Sequence, residues 1–238
     1  FGIVLENLSA SIAQNVTVDS NIFTNQYYFS LYYYFVNAIS TSYNTISPRS
    51  INYGTDWCGI YMQEMHNGGK VIGNKIYSNN LSISDYLYGI LTYYVDSAVI
   101  ANNEINLHSN ADYTYGIFID YPIAIDFIHN SILITGSSSY GSAIYWYTYT
   151  DTTYSAKMKN NLIVANGGST TYAIYLDGAY SSTYAQNYGI DYNNYYSSGN
   201  LGYVSGTNQA TLTNWQNTVT TDVHSTSLLP DFVDSTVN

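Results

Sequence analysis

The chain has 238 residues, enough for a single domain of elongated shape, and carries 16 acidic against 5 basic side chains. A net charge of −11 excludes the basic surface that nucleic-acid binding requires, and no apolar run has the length needed for membrane insertion. The single Cys58 excludes an internal disulfide and leaves the compartment open, and its place before Gly59 suggests a buried small side chain. Cations, calcium and neutral glycans remain as candidate partners.

Two short motifs recur in step along the chain. Asn-x-apolar triplets, spaced by 23, 30, 29, 27, 31 and 33 residues, begin at Asn21, Asn44, Asn74, Asn103, Asn130, Asn161 and Asn194. Pairs of a small and an aliphatic residue occur at Gly2-Ile3, Ser30-Leu31, Gly59-Ile60, Gly89-Ile90, Gly116-Ile117, Ala143-Ile144 and Ala173-Ile174. Self-similarity at a period of about 20 to 50 residues indicates a repeat architecture.

Each repeat contains two predicted strands. The first begins at the small residue, and its two apolar columns are Ile3, Leu31, Ile60, Ile90, Ile117, Ile144, Ile174 and, two positions later, Leu5, Tyr33, Met62, Thr92, Ile119, Trp146, Leu176. The second strand follows the Asn, with Phe23, Ile46, Ile76, Ile105, Ile132, Ile163 and Tyr196 as its apolar column. Alternate residues of a strand point to opposite faces, so these columns can share one interior.

These motifs, at matched phase over residues 1 to 196, resemble the right-handed parallel β-helix repeats of the pectin-lyase-like superfamily. The resemblance implies an all-β fold, a right-handed parallel β-helix (solenoid) of about seven coils. We interpret the seven asparagines as a structural hydrogen-bonded ladder rather than a ligand site, because Asn suits left-handed turns and stacks readily in β arrays.

The end of the chain departs from the repeat, so we predict a β-helix over residues 1–200 and a short non-repetitive capping segment over residues 201–238. Asp191–Tyr196, Trp215, His224-Ser225 and Leu229–Asp234 resemble the closing segment of secreted bacterial β-helix proteins, which favours an extracellular or cell-surface location. The segment Leu212–Thr218 is predicted as a helical cap. The first coil begins without a cap, which suggests either a fragment of a longer protein or an end used for stacking.

The outward-facing positions are rich in tyrosine, of which the chain has 30. The two predicted outward columns are Val4, Tyr32, Tyr61, Leu91, Phe118, Tyr145, Tyr175 and Glu6, Tyr34, Gln63, Tyr93, Asp120, Tyr147, Asp177. Three interpretations stay open for the aromatic members: a glycan-binding platform, a lateral or subunit interface, and stacking that stabilises the sheet.

The resemblance also raises the question of catalysis, since many proteins of this fold cleave acidic polysaccharides. Hydrolases on this fold use two or three aspartates, and the best pair here is Asp120 and Asp177, two rungs or about 9.6 Å apart. Lyases use a basic residue, for which Arg49 is the free candidate, because Lys75 is expected to pair with Glu104. All three are weak candidates, since no hydrolase motif accompanies the aspartates and repeat faces carry many solvated charges.

The four histidines show no metal-binding spacing, so no cofactor is predicted, although calcium at acidic turns such as Asp85, Asp96 or Asp112 remains open. We predict a non-catalytic extracellular structural or adhesive module that acts through its tyrosine-rich sheet or assembles end to end into filaments. Its partner is a second copy of the chain or a glycan. The alternative is a polysaccharide lyase or glycoside hydrolase.

Overall fold

A computed structural model shows an all-β chain whose parallel strands stack into a solenoid of about six turns. It describes residues 1–7, 13–50, 54–81, 85–148, 154–168, 170–178 and 188–230. The predicted fold class is confirmed. The number of turns is about six rather than the predicted seven, because seven recurring positions bound only six intervals.

Each turn contributes one strand to each of three parallel sheets. The first sheet contains β1 (Ile3–Glu6), β5 (Phe29–Tyr34), β9 (Trp57–Met65), β12 (Tyr86–Asp96), the first half of β15 (Tyr113–Ile128), β17 (Tyr140–Thr148), β20 (Thr171–Gly178) and β23 (Gly202–Val204), which pairs antiparallel with β24 (Thr207–Gln209). The second contains β3 (Thr17–Asp19), β7 (Ile39–Ser42), β10 (Gly69–Ile72), β13 (Ala98–Ala101), the second half of β15, β18 (Ser155–Lys159) and β21 (Tyr188–Asp191).

The third sheet contains β4 (Ile22–Gln26), β8 (Thr45–Pro48), β11 (Lys75–Leu81), β14 (Glu104–Ser109), β16 (Ser131–Thr135), β19 (Leu162–Asn166) and β22 (Asn194–Ser197). Two short strands, β2 (Ala13–Gln14) and β6 (Val36–Asn37), pair beside them. β15 runs unbroken around the corner between the first and second sheets and joins them into one 15-stranded sheet.

The register of the first sheet follows the small-aliphatic pairs. Ile60 aligns with Ile90 and Ile90 with Ile117, and all three side chains are fully buried. The preceding position must stay small, because a Cβ on Gly89 would lie 2.5 Å from the carbonyl oxygen of Gly116. Close approach of neighbouring coils therefore requires glycine at Gly59, Gly89 and Gly116, whereas other coils accept the small residues Ser30, Ala143 and Ala173 in this column.

The asparagine ladder lies at the corner between the second and third sheets. Each asparagine directs its backbone N–H and its side-chain amide to the Oδ1 of the next, as Asn74 does to Asn103 at 3.0 Å and Asn103 to Asn130 at 3.1 and 3.0 Å. Each inner Nδ2 also donates to a carbonyl, for example that of Asn103 to Val71 at 2.9 Å. The ladder positions are Asn21, Asn44, Asn74, Asn103, Asn130, Asn161 and Asn193.

The last ladder position is a correction to the sequence prediction. Asn161 donates to Asn193 at 2.9 Å, whereas Asn194 begins β22 and binds the closing segment through Leu228. The reason is the backbone: a left-handed residue precedes the ladder asparagine, and here it is Tyr192, with φ of 60°. The inward residue of β22 is accordingly Tyr195, aligned with Ile163 and fully buried, and not the predicted Tyr196.

The C-terminal segment closes the last coil. Helix α1 (Leu212–Val219) begins after Thr211, whose side chain accepts from the Asn214 N–H, and it places buried Trp215 against Gly202. A Cβ on Gly202 would lie 2.7 Å from the indole ring, so this contact requires glycine. The predicted helical cap is thus present as a regular helix.

The closing segment contacts the last strands of all three sheets and pairs through its backbone with those of the first and third. β24 pairs with β23, Thr226 bridges to Asn194, and both the ring and the backbone N–H of His224 bind Asp191 at 2.8 Å. β23 also continues the first sheet beyond residue 200 by pairing with β20. At the opposite end, Ile3, Leu5 and Phe23 are only partly buried.

Candidate functional site

The outward column predicted on the first sheet forms stacked aromatic rungs. Tyr145 lies between Phe118 and Tyr175, with ring centroids 4.5 and 5.2 Å apart and nearly parallel planes. Tyr175 continues the stack onto Tyr203 at 4.2 Å. Leu91 interrupts the column, and on its other side Tyr32 packs on Tyr61 at 5.1 Å and on Phe29 at 5.1 Å.

The members of the next predicted column have more varied surroundings. Tyr34 stacks beside Tyr32 at 6.3 Å, and Tyr93 packs edge-on against Tyr94 at 4.8 Å. Tyr147 aligns with Asp177 and is 37% exposed. Tyr32, Tyr34, Tyr61, Tyr93, Phe118, Tyr145, Tyr147 and Tyr175 therefore share one outward face.

Two further aromatic columns flank this face, and the sequence reading missed them. Tyr86, Tyr113 and Tyr140 align on successive coils, with the first two rings stacked at 4.6 Å and the next two at 5.4 Å. Beside them, Tyr88 aligns with Tyr115 at a ring distance of 5.5 Å. A recurring Tyr-x-Tyr-Gly pattern at Tyr86–Gly89 and Tyr113–Gly116 is the sequence signal that would have revealed them.

A notch interrupts the second of these flanking columns. Its members run Tyr88, Tyr115, Ser142 and Tyr172, so the serine leaves one rung without a ring. The resulting notch has a volume of about 200 Å³ and is lined by Tyr113, Tyr115, Tyr140, Gly141, Ser142, Tyr145, Thr170, Tyr172 and Tyr175. Sites for drug-sized ligands span about 300–1,000 Å³, so this notch fits a ligand the size of one small ring.

Hydrogen bonds fix two walls of the notch. The hydroxyl of Tyr145 donates to Asp177, which also accepts from the Gly178 N–H at 2.7 Å. The hydroxyl of Tyr172 donates to Asn208 of β24 at 3.0 Å. Both rings are therefore held in place before any ligand arrives, which lowers the entropic cost of binding.

Three phenols of the notch, those of Tyr115, Tyr145 and Tyr175, stay neutral at ordinary pH. Burial, the hydrogen bond to Asp177 and the negative charge of that carboxylate raise the pKa of Tyr145 well above its usual value. Burial and neighbouring tyrosines likewise raise the pKa of Tyr115 and Tyr175. The walls thus combine apolar ring faces with neutral hydroxyl groups, and Asp177 supplies a carboxylate nearby.

The structure does not bring the three catalytic candidates together. Asp120 aligns with Tyr93 and Asp177 with Tyr147, both near the end of the first sheet that leads into the second. Arg49 follows β8 in the third sheet, where it lines a separate notch of about 140 Å³. Each coil runs from the third sheet into the first and then into the second. Arg49 therefore lies near the beginning of the first-sheet strands, and the two aspartates lie near their end.

Other predicted contacts are present. Lys75 and Glu104 form the expected ion pair at 3.6 Å, and Cys58 is buried, which raises the pKa of its thiol. Asp96 binds the turn of the preceding coil, where it accepts from the Asn67 N–H at 3.1 Å and lies 3.3 Å from the His66 ring. Across the described ranges there is no group of three or more His, Cys, Asp or Glu side chains suited to a metal ion.

Comparisons with known proteins found no matching family model, no matching curated protein and no matching solved structure. The likeness to parallel β-helix proteins therefore rests on the architecture of stacked parallel coils. In the described part of the chain, no helix has the length and apolar character required to cross a membrane.

Proposed function

We propose that this chain is a non-catalytic, extracellular glycan-binding module that uses its first sheet as an adhesive face. The observation that carries the proposal is the notch at Ser142, where the aromatic column lacks one ring and six tyrosines surround the gap. An opening of this kind is not expected if stacking alone selected the tyrosines, since a seventh ring would stack better than a serine.

The chemistry of the notch fits one sugar ring of a neutral glycan. Pyranose rings present apolar C–H faces that pack on aromatic rings and hydroxyl edges that hydrogen-bond to phenols and carboxylates. The chain carries a net charge of −11, and Asp177 lies behind Tyr145, so uronate and sulfate groups would be repelled. Tyr140, which is 55% exposed, stands beside the notch and offers a further stacking surface along the chain of sugars.

A binding experiment with matched variants tests the proposal. We expect calorimetry against soluble neutral oligosaccharides, with oligouronates for comparison, to show binding of a neutral oligosaccharide. Ser142→Tyr should weaken that binding at least tenfold, because the new ring occupies the site, while the melting temperature stays within a few degrees. Tyr43→Asn is the matched control, since it removes a 66% exposed ring at the ladder corner and places there a residue suited to the left-handed backbone.

Two results would contradict the proposal. Unchanged glycan affinity in Ser142→Tyr would exclude the notch as the binding site. If no neutral glycan bound, the proposed function as a neutral-glycan-binding module would be wrong. Depolymerised product in the same incubations, lost in Asp120→Ala or Arg49→Ala, would instead favour the lyase or hydrolase alternative, which stays a prediction.

End-to-end assembly also stays a prediction, and the fold restricts its geometry. Simple head-to-tail stacking would pair the first coil with the last strands of another copy, but the closing segment already pairs with β22 and β23. Assembly through the partly exposed first coil must therefore use a different contact on the second copy. Light scattering over a concentration series would detect it, and a constant monomer mass would exclude it.

A further inference from the structure

A second tyrosine feature lies outside the notch, at the corner where β12 and β15 turn from the first sheet into the second. Tyr93 aligns with Asp120 and Val95 with Pro122, so Tyr94 and Tyr121 stand opposite each other on adjacent coils. Their rings stack with centroids 4.0 Å apart and planes 7° from parallel, closer than the Tyr175–Tyr203 pair at 4.2 Å.

The backbone at this corner is unfavourable for such large side chains. Tyr94 and Tyr121 have φ angles of 51° and 46°, in the left-handed region that glycine and asparagine adopt most easily. The same corner carries Phe35 and Glu64 on the two preceding coils, with φ angles of 53° and 51°. The ladder corner adopts this conformation at Ser20, Tyr43, Gly73, Asn102, His129, Asn160 and Tyr192, so the fold accepts small and large residues at such corners. The stacked pair therefore depends on having tyrosine at both positions and not on the backbone alone.

The phenol of Tyr94 is neutral and contacts the ring of Tyr121. Desolvation and the hydrogen bond with Tyr121 raise the pKa of Tyr94 to about 12. Both residues are partly exposed, so a reagent in solution reaches the ring edges. Tyr154 packs edge-on against the outer side of Tyr121 at 5.3 Å, which holds that ring in the stack.

We propose that Tyr94 and Tyr121 form an oxidative cross-linking site, at which a peroxide-driven haem peroxidase joins the two rings as dityrosine. Each tyrosine gives one electron and its phenolic proton to the oxidant and becomes a neutral phenoxyl radical. The radicals couple through one ortho carbon each, and the hydrogen on each of those carbons then moves to the phenoxyl oxygen. One hydrogen peroxide takes up the two electrons and two protons and leaves as two water molecules.

The stacked arrangement favours this coupling over reaction between distant tyrosines. The unpaired electron of a phenoxyl radical occupies orbitals perpendicular to the ring, so the new carbon–carbon bond first forms between two ring faces. The nearly parallel rings, with centroids 4.0 Å apart and a hydrogen bond between their hydroxyl groups, bring the carbon atoms of one ring face close to those of the other. This is a near-attack geometry of the kind that converts an encounter into an intramolecular step.

The product would be a covalent staple between two coils. Its ends are separated by 27 residues along the chain, and such a link removes conformational freedom from the unfolded state, as a disulfide does. The single cysteine cannot form an internal disulfide, and tyrosine coupling would supply a covalent cross-link in its place. The proposal does not depend on glycan binding.

Treatment of the folded protein with a haem peroxidase and substoichiometric hydrogen peroxide tests the site. We expect dityrosine fluorescence, the loss of two hydrogen atoms from the intact monomer mass, and a Tyr94–Tyr121 linkage as the first cross-linked peptide. Tyr121→Phe and Tyr94→Phe, which keep the stacked ring, should each remove most of the early intramolecular product. Tyr86→Phe is the matched control, because it alters a stacked pair on the same coils, lies outside the notch lining and should leave the product unchanged.

Other outcomes would overturn the proposal. A first cross-link at Tyr175–Tyr203 or Tyr86–Tyr113, products formed only between chains, or an undiminished yield in both phenylalanine variants would each do so. Circular dichroism of the two variants confirms that they are folded, and either one alone suffices for the comparison.

Discussion

The asparagine ladder and the tyrosine sheet are both columns of one residue type repeated down the solenoid, yet they differ in almost every physical respect. Ladder members such as Asn103 and Asn130 are 1% exposed, and each makes the same hydrogen bonds as the previous one. The tyrosine columns are half-exposed, are interrupted by Leu91 and Ser142, and bind different partners on different coils.

The difference teaches how to separate structure from function in a repeat protein. A buried amide must be satisfied at every turn, so the ladder tolerates no variation. An exposed column has no such requirement, and a departure from its pattern therefore needs another reason. The interruption at Ser142 is such a departure, which is why the notch rather than the repeat carries the proposed function.

The largest expected effect is on the ladder. Asn103→Ala removes the acceptor of both the backbone N–H and the Nδ2 of Asn74, and it removes the donor to the Val71 carbonyl. Leaving these buried groups unpaired should lower the free energy of unfolding by about 3–5 kcal/mol. Urea unfolding measures the change. Asn21→Ala, at the exposed end of the ladder, should cost at most about 1 kcal/mol, and equal losses at the two positions would refute the ladder as a cooperative element.

An intermediate effect is expected on the tyrosine sheet. Tyr175→Ser removes stacking on Tyr145 and Tyr203 and should lower stability by only about 0.5–2 kcal/mol, while glycan affinity falls more than tenfold. Tyr203→Ser is the control, because this ring stacks on Tyr175 but does not line the notch. Tyr203→Ser should lower the stability by a similar amount and leave the glycan affinity unchanged. A stability loss as large as that of Asn103→Ala would mean that the tyrosine sheet is as structural as the ladder.

The smallest expected effect concerns the segment that closes the ladder end. Partial burial would raise the pKa of Asp191, but hydrogen bonds from the ring and backbone of His224 and from the Tyr192 N–H outweigh it and lower the pKa. The unfolded chain therefore takes up a proton before the folded one as the pH falls. The stability from Asp191 is present above about pH 4 and is lost as the pH falls through the folded pKa.

Thermal melts of Asp191→Asn and of the unaltered chain at several pH values test whether the pKa of Asp191 is lowered by folding. The unaltered chain should be more stable by less than about 1 kcal/mol at pH 7, and the two should converge below about pH 3. Asp126→Asn, which removes an exposed carboxylate paired with Lys157 at 3.5 Å, serves as the control. If the difference in stability between Asp191→Asn and the unaltered chain grew as the pH fell, the pKa of Asp191 would not be lowered by folding.

Much of the fold could be predicted because the repeat imposes it. The alignment of Ile60, Ile90 and Ile117 and of Tyr145 with Tyr175 is the register in the structure. The prediction that Asn194 follows Asn161 in the ladder was wrong, because Asn193 and Asn194 are adjacent and the spacing pattern fits either residue. The backbone conformation of Tyr192 decides between them, and a single sequence does not display φ angles.

The sequence by itself determined the architecture, since inward-facing side chains at a fixed period can be buried only by stacking coils. It also determined which side chains face outward, because a strand alternates its faces. The tertiary structure alone decided which tyrosines meet around Ser142 and that the closing segment pairs with the last strands of the first and third sheets. Those features depend on contacts between residues about 30 positions apart, and their geometry is fixed only when the coils are stacked.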